Sequence, residues 1–82
     1  MSAIPRSGYE MTAHANDQRR HRKIPLEAIN ECIERGEIVH RDDDERGEIV
    51  ALRARWAAVH YEAVVNPEER KVITAEFAGD FK

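Results

Sequence analysis

Arg19, Arg20, His21, Arg22 and Lys23 form one unbroken basic run, and His14 stands a short way before it. These are side-chain types that metal-independent RNA cleavage uses. That chemistry needs a group to take the 2′-hydroxyl proton, a cation to stabilise charge on the phosphate, and an acid for the leaving oxygen. A histidine titrates close to neutral pH and serves as base or acid, and an arginine offers a planar pair of donors to a phosphate. On a helix, His14, Gln18, His21 and Arg22 fall on roughly one face, which gives a shared phosphate-facing surface if that face is not the buried one. Arg19, Arg20, Arg22 and Lys23 are therefore the candidates for RNA or phosphate contact. Plainer accounts compete with this reading. Cations at a helix end favour the C-terminal dipole by ~0.3–1 kcal/mol, and a helix histidine is commonly held by a backbone carbonyl or a carboxylate.

Other chemistries find less support. His14 and His21 lie seven apart on one helix, but no third ligand accompanies them at zinc spacing, so no metal and no cofactor are expected. Asp42, Asp43, Asp44 and Glu45 lack the alternating ligands and glycine of a calcium loop. They read as a solvated loop, or as a contact for a basic partner. Cys32 falls on the apolar side of a helix and reads as a buried small hydrophobe. Trp56 reads as a core or oligomer contact, and Thr74 as a strand residue favoured by β-propensity. No Gly-rich phosphate loop, Ser-His-Asp ordering or dinucleotide fingerprint occurs.

The elements that must position these residues follow from spacing and breakers. Residues 1–10, with Pro5, Ser7 and Gly8, read as a flexible lead-in to a single domain over 11–82. Thr12 to Lys23 holds no Gly or Pro and predicts a helix with Thr12 as N-cap and a thin apolar stripe. Ile24-Pro25 ends it and opens another, because the residue before proline is pushed to extended geometry and proline suits a helix start. Leu26, Ile29, Cys32 and Ile33 recur at helical spacing up to Gly36, where a left-handed C-cap is expected. Glu37 to His40 alternates as a short strand, and Arg41 to Gly47 reads as a charged loop. Residues 48–65 fit either a helical stripe or strands. The Asn66-Pro67 turn and the β-rich segment after it favour strands near 48–54, 58–65 and 71–77.

Composition bounds the class. An 82-residue, 9.4 kDa chain with 41% hydrophobic residues builds one small core. A formal charge of −3 excludes a surface that is basic all over, so any nucleic-acid contact must be local. The single cysteine closes no intrachain disulfide and fits a reducing cytoplasmic setting. No apolar run reaches the ~18 residues of a membrane span, and Met1 to Glu10 lacks the pattern of a signal peptide.

Thr12-Ala13-His14-Ala15, then Arg22-Lys23-Ile24-Pro25, then a helix ending at Gly36-Glu37-Ile38, stand in a telling order. With Tyr61 to Pro67 and Val72-Ile73-Thr74-Ala75 behind them, they resemble an uncharacterised family of small prokaryotic and phage domains related to the RelE-like and BrnT-like ribonuclease toxins. The resemblance covers about residues 11 to 77. It implies an α+β fold with two N-terminal helices packed on a small twisted antiparallel sheet of three to four strands. His14, Arg22 and Thr74 match it residue for residue, which makes His14 and Arg22 the catalytic candidates of an RNA-binding domain that cleaves RNA without metal. Gln18 departs from it, since members often carry an arginine at that position. A non-catalytic module of the same fold is the alternative. Its partner would be a protein such as an antitoxin, or a second copy of the chain, met through a sheet edge, Trp56 and the acidic run.

Overall fold

A computed structural model describes residues 4–78. Residues 1–3 and 79–82 of the expected bounds lie outside the described residues. In chain order the elements are β1 (Glu10–Met11), α1 (Ala13–Arg22), α2 (Leu26–Arg35), β2 (Glu37–Asp44), β3 (Gly47–Trp56), β4 (Val59–Asn66) and β5 (Lys71–Phe77). The fold is α+β. Its five-stranded sheet has the order β1-β5-β4-β3-β2, antiparallel except where β1 pairs with β5 in parallel.

The expected sheet of three to four antiparallel strands is thus corrected to a mixed sheet of five. β1 is only two residues long, and backbone bonds to the far end of the chain define it, from the Glu10 amide to the Arg70 carbonyl and from the Thr12 amide to the Val72 carbonyl. No local propensity marks such a pairing. The segment leading to it is placed by Ile4, buried in the core, and by Arg6, whose guanidinium donates to the Ile33 and Gly36 carbonyls at the end of α2.

A second correction concerns the acidic run. Asp42, Asp43 and Asp44 belong to β2, which pairs with β3 as far as Asp44 opposite Gly47, and only Glu45 and Arg46 form the turn. An outer strand leaves carboxylates in water on both faces, so alternation is not required of it. The Asp44 carboxylate accepts the Arg46 amide at 2.8 Å and shapes the turn. Residues 48–65 resolve into β3 and β4, joined by a two-residue turn in which Ala57 and Ala58 both have positive φ, 52° and 66°.

The helices cover one face of the sheet. α2 buries Ala28, Ile29, Cys32 and Ile33 against Val50, Leu52, Tyr61, Ala63 and Val65 in one apolar cluster. Cys32 is fully buried, its thiol donates to the Tyr61 carbonyl, and burial pushes its pKa up to about 11. Gly36 ends α2 as expected, but in extended backbone (φ −67°), not in the left-handed region. Glycine is needed there because a Cβ would fall onto the Cys32 carbonyl. Trp56 is half-buried against the core.

α1 is held differently. Ala15 is its one buried residue. The Thr12 hydroxyl accepts the Ala15 amide at 3.1 Å and donates to the Val72 carbonyl at 2.8 Å, so a single side chain caps the helix and fastens its start to β5. At the other end the Arg22 guanidinium donates to the Ala75 carbonyl at 2.8 Å. These bonds lay α1 along β5 with His14 at the Val72 end.

Candidate functional site

The turn between β2 and β3 and the loop between β4 and β5 lie at the same end of the sheet, beside the start of α1. They enclose an open cavity of about 210 Å³ walled by Thr12, His14, Arg46, Asn66, Glu69 and Lys71, with Ile73 supplying an apolar patch.

Asn66 organises this end. It is only 1% exposed; its side-chain carbonyl accepts the Glu69 amide at 3.1 Å, and its amide group donates to the Arg46 carbonyl at 3.4 Å. A buried amide must satisfy its polar atoms, and here it does so by joining the two loops that carry Arg46 and Glu69. Thr12, as the cap of α1, fixes the first turn from which His14 projects. The Lys71 ammonium lies 2.9 Å from the Glu10 carboxylate on β1 and lowers the pKa of that exposed acid, through a hydrogen bond and its charge. Among the described residues, the His14 imidazole, the Arg46 guanidinium and the Glu69 carboxylate have no hydrogen-bond or ion-pair partner.

The expected site residues are divided by this geometry. His14 is exposed on the cavity wall. Arg22 lies eight residues further along α1, roughly 12 Å at the helical rise, and is half-buried with one donor on Ala75. Arg19 is also half-buried, bonded to the Asn16 side chain and the Ile24 carbonyl. Arg20, His21 and Lys23 are exposed, and Lys23 adopts the left-handed conformation that caps the helix. None of these five walls the cavity. Thr74 pairs with Val64 on the face away from the helices, also outside it.

The spacing of Arg46, Glu69 and Lys71 does not single them out. The available signal was Asn66-Pro67 followed by Glu68-Glu69-Arg70-Lys71, a turn dense in charge, but its nearness to His14 depends on β1 joining β5. Among the described residues no cluster of three or more His, Cys, Asp or Glu side chains could hold a metal ion, and no helix is long and apolar enough to cross a membrane.

The family model described as a domain of unknown function, DUF4258, matches residues 11–77, from the end of β1 through β5. The chain belongs to the DUF4258 family. No curated protein and no solved structure matches it. The matched span of this DUF4258 domain takes in α1, both turns at the cavity and all seven of the residues that wall it.

Proposed function

We propose that this DUF4258 domain binds RNA and cleaves it without a metal ion, with His14 transferring a proton and Arg46 and Lys71 holding the phosphate. The observation that carries this reading is that an exposed histidine and two cations from distant parts of the chain share one cavity. Such a set stabilises charge that develops on a phosphate while a proton moves beside it. The resemblance to RelE-like and BrnT-like toxins supports the same chemistry, and the buried thiol of Cys32 fits a cytoplasmic setting. Arg20 and Lys23, exposed at the far end of α1, extend the positive surface along which an RNA backbone lies. Arg19 and Arg22 add to it with the donors they do not commit to α1 and β5.

The test is a time course of structured RNA with the parent protein, His14→Ala and Arg22→Ala, in chelator and at low salt, after each is shown to be folded. Cleavage by the parent that His14→Ala abolishes is expected. Intact RNA in the parent lane would sink the proposal and favour a second reading, a protein-interaction module. That reading has its own support: β2 ends the sheet and is exposed from Val39 to Asp44, an edge that a strand from a partner protein or a second copy would extend.

A further inference from the structure

We infer that Glu69 is the general base of this reaction and His14 its general acid, an assignment that rests on the RNA-cleaving reading above. Cleavage within the chain of an RNA needs two proton transfers, and His14 alone supplies one at a time. Among the described residues, one carboxylate lines the cavity with His14, that of Glu69. A carboxylate accepts a proton and an imidazolium gives one up, so the two types divide naturally into base and acid.

Position supports the division. Glu69 comes from the β4–β5 loop and His14 from α1, and both line the one cavity, so two separate elements each bring one proton-transfer group to it. The loop is held by the bond from the Glu69 amide to buried Asn66, which also fixes Arg46. Proton acceptor and phosphate-binding cation are therefore set relative to one another by a single residue. Asn66 is a positioning residue in this scheme. Among the described residues, the charged groups around Glu69 are His14 from α1, Arg46 from the β2–β3 turn, Lys71 from β5, its chain neighbours Glu68 and Arg70 and, through Lys71, Glu10 of β1.

The step balances without a co-reactant. Glu69 takes the 2′-hydroxyl proton as O2′ bonds to phosphorus. The bond from phosphorus to O5′ breaks, and O5′ takes its proton from the His14 imidazolium. The products are a 2′,3′-cyclic phosphate end and a 5′-hydroxyl end, with Arg46 and Lys71 facing the non-bridging oxygens. A volume of about 210 Å³ lies below the ~300 Å³ at which small-molecule sites begin.

The experiment measures initial rates on a short oligoribonucleotide in chelator across pH for the parent, Glu69→Gln and His14→Ala, with RNA binding measured for each. Glu69 is exposed, so the glutamine variant is expected to melt with the parent. It should bind RNA within about twofold, cleave roughly 100-fold more slowly or worse, and lose the fall in rate that the parent shows toward acid pH. His14→Ala should lose the fall toward alkaline pH, and a 2′-deoxy residue at the cleaved position should block the parent. A Glu69→Gln protein that keeps its rate and its acid limb, while His14→Ala is inactive, overturns the role of Glu69 and leaves the proposed function standing. RNA left intact by the parent overturns both.

Discussion

The two ends of the sheet are built on different terms. At the cavity end Asn66 joins the β2–β3 turn to the β4–β5 loop, Thr12 fastens the start of α1 to β5, and Asp44 shapes its own turn. At the opposite end β3 and β4 are joined by Ala57 and Ala58, both at positive φ, where alanine is disfavoured and the usual residues are Asn and Gly. One end invests polar side chains in fixing loops relative to one another. Both ends hold non-glycine residues at positive φ, Arg70 in the β4–β5 loop and the alanine pair opposite, but the alanine turn has no side chain able to bond to its surroundings. Side-chain bonds between loops are found where His14, Arg46 and Glu69 gather.

Removing the hub is the sharpest way to break this contrast. Asn66→Ala leaves the Glu69 amide and the Arg46 carbonyl without their partner, and should destabilise the fold by roughly 2–4 kcal/mol in chemical denaturation. RNA cleavage should fall further than the unfolded fraction explains. Equal losses of activity and folded protein would mean that Asn66 only stabilises. Relieving the other end should act in the opposite direction. Ala57→Asn with Ala58→Gly is expected to stabilise by roughly 1–2 kcal/mol, with cleavage unchanged, as read by melting and by rate. Lost cleavage in that pair would show that the far turn also serves the site.

Smaller effects separate the two ends of α1. Thr12→Ala should cost ~1 kcal/mol and reduce cleavage, because the cap also fixes the turn that carries His14. Arg22→Ala should cost ~1 kcal/mol through its bond to Ala75. Arg20→Ala should stay within ~0.5 kcal/mol of the parent in stability, yet weaken RNA binding and reduce its salt dependence, as a lost phosphate contact does. Binding by Arg20→Ala that equals the parent at low salt would remove the basic run from the RNA path.

Residue patterns revealed much of the scaffold. Leu26, Ile29, Cys32 and Ile33 announce α2 because burial at helical spacing is a local property, and Thr12 announces the start of α1 because a cap needs only its own turn. The strands near 48–54, 58–65 and 71–77 follow from β-rich segments around Asn66-Pro67. Ala57-Ala58 gave no turn signal, since its conformation is imposed by the pairing of Val59 with Trp56 and not chosen by alanine. The acidic run differs from its expected loop for a related reason: whether aspartates sit in a loop or an outer strand depends on a partner strand that local sequence does not contain.

The chain by itself determined which side chains are able to do chemistry, the two helices with their caps, and most strand positions, because these depend on residue type and short-range spacing. Tertiary structure alone decided which of those side chains meet. Arg46, Glu69 and Lys71 reach His14 only because Glu10 and Met11 pair in parallel with Lys71 and Val72, while Asn66 draws two loops together. Contacts across some sixty residues are set by hydrogen bonds between distant backbones, and no periodicity along the sequence encodes them. The same docking separates Arg22 from His14, since a helix laid along β5 holds its two ends apart by its own length.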